Sequence, residues 1–256
     1  MDLEAVILSG GFGTRLGDET LNKPKPMIEV AGKPLLIHIM NHLSKYGISK
    51  FVIALGYKGE IIKDYFENFG KYNLNSKVIV NKNSVEYLDN KLPAWEVSLI
   101  DTGIDTLTGG RIKKIIPFLK NENFLMTYGD GVGNVEINEL LSLHLKAKRL
   151  STVTAVNPKS KFGILSLDGD RVSEFKEKQF LNNSWINGGF FILNKKVDDF
   201  IPSESVAWES EPMENLVQAN QLSAYRHSGF WHAVDTQRDR LQLEQMIKEG
   251  KLNWLD

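Results

Sequence analysis

Glycines and one arginine follow a short apolar run near the start of the chain. Residues 5–8 are Ala-Val-Ile-Leu, and residues 9–16 read Ser-Gly-Gly-Phe-Gly-Thr-Arg-Leu. An apolar run that ends in a glycine loop is typical of a buried parallel strand, and sheets of such strands bind ligands beyond their carboxyl ends. Glycines let backbone N–H groups approach phosphate oxygens, and the guanidinium of Arg15 matches phosphate in shape and charge. The segment therefore predicts a phosphate-binding loop, with a plain strand-to-helix turn as the alternative.

Two lysines follow in the segment Asn-Lys-Pro-Lys-Pro-Met at residues 22–27. Its two prolines forbid a helix and favour an extended chain, in which Lys23 and Lys25 project to the same side. Alone, such a segment is typical of a solvated turn. Beside the glycine loop, it predicts further positive charge for an anionic substrate.

Two aspartates each come directly after an apolar run. Asp130 follows residues 124–128 (Phe-Leu-Met-Thr-Tyr), and Asp235 follows residues 230–234 (Phe-Trp-His-Ala-Val). Mg²⁺ that serves a nucleoside triphosphate is usually held by one or two carboxylates. The two acids therefore predict a shared metal site, with a helix cap as the alternative for Asp235.

Other known motifs fit less well. The dinucleotide-binding fingerprint fails because its third glycine would fall on Leu16, and a Walker loop fails because residues 32–34 read Gly-Lys-Pro. His38 and His42 share a helix face as zinc ligands do, but they lack the intervening glutamate and an obvious third ligand. Residues 168–170 (Asp-Gly-Asp) lie between two alternating segments, which predicts a hairpin turn rather than a metal motif.

Together, the pattern Leu-x-Gly-Gly-x-Gly-Thr-Arg-Leu and the later Lys-Pro-Lys-Pro-Met resemble the signature of the sugar-1-phosphate nucleotidyltransferases. Enzymes of this family join a nucleoside triphosphate to a sugar phosphate and release pyrophosphate. The resemblance implies that Arg15, Lys25 and Asp130 are catalytic and that Asp130 and Asp235 hold Mg²⁺. It also implies that the nucleotide is bound by Leu8, Ser9, Gly10, Gly11, Phe12, Gly13, Thr14, Arg15, Lys25, Thr106, Arg111 and Gly129.

The resemblance extends over nearly the whole chain and is greatest to the branch of the family that uses CTP and glucose 1-phosphate. It rests on motifs spread along the sequence: Gly56-Tyr57-Lys58-Gly59, Asp101-Thr102-Gly103, Thr108-Gly109-Gly110-Arg111, Thr127-Tyr128-Gly129-Asp130-Gly131-Val132, Ile186-Asn187-Gly188-Gly189-Phe190-Phe191 and Gly229-Phe230-Trp231. It implies that the sugar phosphate is bound by Glu177, Lys178, Asn187 and Gly188. Two positions depart from the family pattern, since Ser9 replaces an alanine and Gln179 replaces a proline.

The expected small-molecule partners are therefore CTP and glucose 1-phosphate, and we expect the chain to form a homo-oligomer. Two alternatives stay open: the same chemistry with dTTP or UTP, and a non-catalytic, nucleotide-sugar-binding regulatory subunit on the same fold. A nicotinamide-dependent dehydrogenase is disfavoured by the broken fingerprint.

The composition disfavours several other classes of protein. A net charge of −1 without a long basic run argues against nucleic acid as a partner. No run of 18 apolar residues is present, so we expect no membrane span. The absence of cysteine excludes disulfides and thiolate zinc sites, and it fits the cytoplasmic location that we expect.

The motifs need a scaffold that brings strand ends together. Predicted strands at 5–8, 51–55, 78–80, 124–128 and 152–156 alternate with predicted helices at 34–46, 60–69, 111–116 and 138–149, which indicates βαβ units. A hairpin at 164–175, a strand at 185–193 and a helix at 236–248 follow. We predict one α/β, Rossmann-like domain over residues 1–256, with helices on both faces of a mainly parallel mixed sheet. Within it, a nucleotide-binding core extends to about residue 155, and a sugar-binding β part with a closing helix covers about 156–256.

Overall fold

The computed structural model describes residues 3–17, 19–158, 164–176 and 184–252, and only the backbone of residues 15, 19, 164, 166, 167 and 176. Its strands are β1 (Glu4–Ser9), β2 (Glu29–Val30), β3 (Lys33–Pro34), β4 (Lys50–Leu55), β5 (Ser76–Ile79), β6 (Ser84–Tyr87), β7 (Glu96–Asp101), β8 (Asn123–Tyr128), β9 (Gly131–Gly133), β10 (Ser151–Val156), β11 (Ile164–Asp168), β12 (Arg171–Lys176), β13 (Ile186–Asn194), β14 (Leu222–His227) and β15 (Trp231–Ala233). Its α-helices are α1 (Glu19–Asn22), α2 (Leu35–Ser44), α3 (Gly59–Glu67), α4 (Phe69–Asn73), α5 (Thr108–Ile115), α6 (Ile137–Ala147), α7 (Glu211–Gln218) and α8 (Gln237–Lys248).

Seven strands form the central sheet in the order β14-β10-β13-β8-β1-β4-β7. β1 lies parallel to both β4 and β8, and β4 lies parallel to β7. β13 is antiparallel to both of its neighbours, β8 and β10, while β10 is parallel to β14. The sheet is therefore mixed and mainly parallel, which confirms the predicted α/β class.

Helices cover both faces of this sheet. All six residues of β1 are buried, as expected for a strand at the centre of a two-sided sheet. Ala5 and Ile7 belong to a core that includes residues of α2, α3, α6 and α8. Val6 and Leu8 belong to a second core on the other face, which includes residues of α5 and α7. No helix in the described part of the chain is long and apolar enough to cross a membrane.

The apolar residues 78–80 do not form the third strand of the sheet. Residues 76–79 are a strand, but β5 pairs with β6 in a hairpin separate from the central sheet, and Val78 in it is 63% exposed. The sheet instead continues from β4 to β7, in a stretch that shows no regular pattern in the sequence. A run of three apolar residues favours a strand, but it does not determine which strand pairs with it.

Candidate active site

The carboxyl ends of β1 and β8 and the loop between β7 and α5 surround a cleft of about 480 Å³. Among its lining residues are most of the predicted nucleotide contacts, namely Leu8, Ser9, Gly10, Gly11, Phe12, Gly13, Thr14, Lys25, Thr106, Arg111 and Gly129, together with Asp130. The remaining predicted contact, Arg15, lies in a 3₁₀ turn, and its side chain is outside the described atoms. The structure thus brings segments from residues 8, 25, 106 and 129 to one edge of the sheet.

Lys25 lies between the two aspartates predicted to hold metal. Its Nζ is 2.6 Å from Oδ2 of Asp130 and 2.8 Å from Oδ1 of Asp235. The lysine side chain is 10% exposed, whereas the two carboxylates are 34% and 26% exposed. Two acids 105 residues apart therefore meet at one positive charge, at the rim of the cleft.

The predicted extended conformation of the lysine segment is wrong. Pro24 is extended, but residues 25–27 form a 3₁₀ turn in which Lys25 is buried. Lys23 stays at the surface and pairs with Glu29 at 3.2 Å. Proline is compatible with the first turn of a helix because its fixed φ is helical, so Pro26 permits a short turn here.

A short antiparallel pair of strands, β9 and β15, brings Asp130 and Asp235 together. β9 follows Asp130 directly and pairs with β15, which ends two residues before Asp235. The N–H of Val234 donates to the carbonyl of Asp130 at 2.9 Å, which fixes the two chains side by side. The cap of α8 is Thr236, in a capping box with Asp239. The helix-cap alternative therefore does not account for Asp235.

Arg111 is 3% exposed, and its guanidinium is surrounded by protein acceptors. Burial lowers its pKa, and the charge of Asp101 partly offsets this effect. The guanidinium donates at 2.5 to 3.2 Å to the carbonyls of Gly10, Leu55, Gly103 and Ile104 and to the hydroxyl of Thr102.

The position of this guanidinium explains why residues 10 and 56 are glycines. A Cβ at Gly10 or at Gly56 would collide with it, so these positions are glycine because the backbone passes directly over Arg111. Arg111 therefore joins the glycine loop to the ends of β4 and β7. The contact of Arg111 with the nucleotide stays a prediction, because the five hydrogen bonds described for its guanidinium all go to protein acceptors.

The predicted sugar-side residues lie partly outside the structure. Glu177 and Lys178 fall outside the described residues. Asn187 Nδ2 donates to the hydroxyl of Tyr128 at 3.4 Å, and the carbonyl of Gly188 accepts from Nε1 of Trp231 at 2.7 Å. The beginning of β13 is thereby joined both to the end of β8, beside the cleft, and to β15.

The disfavoured motifs have structural explanations. The Nε2 atoms of His38 and His42 lie within 2.8 and 3.0 Å of the carbonyls of Val30 and Val135. Residues 168–170 form the turn of the β11–β12 hairpin, as predicted. Within the described ranges, no three His, Cys, Asp or Glu residues are grouped closely enough to hold a metal by themselves.

Sequence reasoning assigned no role to four residues that line the cleft or contact its lining. Tyr57 donates its N–H to Gly10 O at 3.1 Å, and its ring lies 5.2 Å from that of Phe12. Tyr128 and Thr108 line the cleft and both donate to Glu209. Tyr57, Tyr128 and Thr108 belong to motifs recognised in the sequence, whereas Glu209 belongs to none of them.

Known proteins resemble the chain in both sequence and structure. It is 42% identical over 98% of its length to glucose-1-phosphate cytidylyltransferase from Salmonella typhi, covering 98% of that protein. It is 38% identical to a probable glucose-1-phosphate cytidylyltransferase from Bacillus subtilis, over 98% of this chain and 99% of the relative.

Solved structures share the fold. HddC from Yersinia pseudotuberculosis matches 96% of this chain and 99% of its own with a TM-score of 0.69 and 23% identity. A UDP-glucose pyrophosphorylase complexed with UDP-glucose matches 98% of this chain and 100% of its own with a TM-score of 0.70 and 17% identity. The family model described as nucleotidyl transferase matches residues 4–250. The match to this family model and the identities of 42% and 38% to full-length relatives show that the chain is an enzyme of the nucleotidyl transferase family.

Proposed function

We propose that the enzyme transfers a cytidylyl group from CTP to α-D-glucose 1-phosphate and releases pyrophosphate, giving CDP-glucose. The observation that carries this proposal is the 42% identity, over 98% of both chains, to an enzyme named for that reaction. The geometry supports it, because the cleft offers a buried ammonium at Lys25 and open backbone at Gly11, where no atom lies within 4 Å of the position that a Cβ would occupy.

The reaction needs one in-line displacement. An oxygen of the sugar phosphate attacks the α-phosphorus, the bond to the β-phosphate oxygen breaks, and pyrophosphate leaves with the electron pair. No covalent intermediate with the protein is required, so the protein acts by positioning and by neutralising charge. In this proposal, N–H groups of the glycine loop orient the triphosphate, and Arg15 and Lys25 stabilise the charge that develops on it.

Mg²⁺ is the expected cofactor, and the residues present fit it. Mg²⁺ binds through one or two carboxylates together with substrate phosphates rather than in a cage made only of protein. Asp130 and Asp235 supply two carboxylates that both reach one cation, the Nζ of Lys25. When bound, the metal would neutralise phosphate charge.

On the sugar side, we propose that Glu177 accepts from sugar hydroxyls and that Lys178 pairs with the sugar phosphate. Asn187 and Gly188 complete this side. The hydrogen bond from Asn187 to Tyr128 and the bond from Trp231 to Gly188 support their placement beside the cleft.

Pyrophosphate release over a grid of CTP, UTP, dTTP and ATP with several sugar 1-phosphates tests the proposal. CTP with glucose 1-phosphate should give the highest kcat/KM, in the presence of Mg²⁺. A preference for dTTP or UTP would change the base assignment and keep the chemistry, whereas no release from any pair would indicate a regulatory subunit. Asp130→Asn and Asp235→Asn should each nearly abolish release, while Asp168→Asn, in the exposed hairpin turn, should not.

We also propose that the enzyme is a cytoplasmic homo-oligomer. Support for self-association comes from apolar side chains exposed around the β5–β6 hairpin, among them Val78, Val80, Val85 and Leu88, which are 57 to 85% exposed. Light scattering during size-exclusion chromatography should give a multiple of 29.0 kDa. A single species at the monomer mass at micromolar concentration would contradict self-association.

A further inference from the structure

The loop before α7 crosses the first turn of α5. The N–H of Gly109 donates to the carbonyl of Val206 at 3.1 Å, and a Cβ at Gly110 would collide with the carbonyl of Glu204. The N–H of Trp208 donates to Oγ1 of Thr108 at 2.8 Å. In the sequence Thr-Gly-Gly at residues 108–110, the two glycines therefore leave room for the crossing loop, and the threonine hydroxyl binds it.

Glu209, the next residue of that loop, contacts two separate parts of the cleft. Its Oε2 accepts from the hydroxyl of Thr108 at 2.6 Å, and its Oε1 accepts a short hydrogen bond from the hydroxyl of Tyr128. Both are charge-assisted bonds to a carboxylate, which are stronger than neutral ones. One side chain thus joins two hydroxyls that lie 20 residues apart.

Those two hydroxyls belong to two separate segments that line the cleft. Thr108 is the last residue of the segment 104–108, which lines the cleft together with Arg111. Tyr128 is the last residue of β8 and directly precedes Gly129 and Asp130. The hydroxyl of Tyr128 donates to Glu209.

We propose that Glu209 is a positioning residue that fixes the segment 104–108 relative to Tyr128 and so prepares the cleft for the nucleotide. This inference rests on the proposed use of a nucleoside triphosphate. Glu209 acts through Thr108 and Tyr128 and does not itself touch the substrate. Without it, the 104–108 segment keeps its bonds to Arg111 and to the crossing loop but loses its link to Tyr128.

Glu209→Gln is the informative variant, because it keeps the shape of the side chain. The Thr108 oxygen already accepts from Trp208, and the protons of the Thr108 and Tyr128 hydroxyls both go to the carboxylate of Glu209. A glutamine offers one acceptor oxygen and one amide donor, so one of the two links must weaken. Glu211→Gln is the matched control, since Glu211 is exposed in the first turn of α7.

The test measures CTP binding with Mg²⁺ by calorimetry, followed by steady-state kinetics. For Glu209→Gln we expect Kd and KM for CTP to rise about 10-fold, on the scale of one charge-assisted hydrogen bond, with kcat within about threefold and Tm unchanged. Tyr128→Phe should weaken binding less, and the double variant should bind CTP about as well as Glu209→Gln. A Kd for Glu209→Gln within twofold of that for Glu211→Gln would overturn the proposal, as would independent, multiplicative effects of the two substitutions.

A second measurement needs no substrate. Amide hydrogen exchange of residues 104–107 should be faster in Glu209→Gln than in the wild-type protein and unchanged in Glu211→Gln. If the wild-type protein forms no CDP-glucose, the proposed function fails, yet this exchange result still decides the role of Glu209. Equal exchange in all three proteins would show that Glu209 does not hold the segment.

Discussion

Replacing Arg111 with methionine should lower both the stability of the protein and its affinity for the nucleotide. Methionine removes the guanidinium and keeps much of the buried volume. Leu55 O and Gly10 O retain other donors, the N–H groups of Thr102 and Tyr57 at 3.0 and 3.1 Å. The carbonyls of Gly103 and Ile104 have no other hydrogen bond among the described residues.

The expected loss follows from those two carbonyls. An acceptor left without a partner costs about 1–3 kcal/mol when it is buried, and these two are partly buried, so we expect the free energy of unfolding to fall by about 2–4 kcal/mol. This is a large fraction of the roughly 5–15 kcal/mol that is typical of a whole domain. The glycine loop also loses its link to Arg111 through Gly10, so CTP binding should weaken in the same variant.

Urea unfolding followed by tryptophan fluorescence, together with calorimetric titration of CTP, measures both effects. Lys113→Met is the matched control, because Lys113 lies on the same helix but is half-exposed and pairs with Asp198 at 2.8 Å. We expect the control to lose less than about 1 kcal/mol, as is usual for a surface ion pair. If Arg111→Met is as stable as Lys113→Met and loses only CTP affinity, the guanidinium serves the nucleotide and the structural role is refuted.

Three further predictions concern single side chains. Lys25→Ala should lower kcat by about 10²–10³, the scale for losing one charge-stabilising group. Lys23→Ala, which removes only the surface ion pair with Glu29, should change kcat less than threefold. Equal losses in the two variants would refute the different roles of these lysines. Ser9→Ala should raise the free energy of unfolding by about 1 kcal/mol in urea titrations, because the buried Ser9 hydroxyl has no hydrogen bond within the described residues; a loss of stability would show that a partner is present. Burial lowers the pKa of His42 from 6.5 to about 4, so the unfolded chain binds the proton first as the pH falls, and stability should decrease between these values by up to about 3 kcal/mol. His42→Leu should remove that part of the slope in pH-dependent unfolding, and an unchanged slope would contradict the assignment.

The glycine loop and the aspartates could be found from the sequence because their signals are local. An apolar run marks a strand, and the residues after it stand at the carboxyl edge of a parallel sheet. Asp130 satisfies that rule, because it follows β8 of the central sheet. Asp235 does not, because β15 belongs to a separate antiparallel pair with β9, yet the structure brings both acids to Lys25. The sequence did not indicate the β9–β15 pairing that aligns them, since each of these strands is only three residues long.

Contacts between distant segments could not be predicted in the same way. Arg111 reads as an exposed arginine at a helix start, yet its acceptors extend from Gly10 to Ile104, and only the folded sheet brings these carbonyls together. Glu209 carries no motif, because its role depends on two hydroxyls about 100 and 80 residues earlier in the chain. The division of the chain near residue 155 into a nucleotide core and a sugar part stays a prediction.

The direction of β13 explains why Asn187 and Gly188 are harder to identify from the sequence than the residues that follow β1 and β8. Those residues come directly after a strand, whereas Asn187 and Gly188 lie at the beginning of one. Six strands of the sheet run in one direction, and their carboxyl ends face the cleft edge, but β13 runs the other way. Phe190 pairs with Thr127, and Asn187 pairs with Ala155, so the beginning of β13 lies beside the ends of β8 and β10. Gly189, at φ +81°, passes the ring of Tyr128 so closely that a Cβ there would lie 2.9 Å from it. Residues that face this edge therefore follow the strands at β8 and β10 but begin a strand at β13. If Asn187 and Gly188 bind the sugar phosphate as proposed, this antiparallel strand is what brings them to the same edge as the proposed nucleotide contacts.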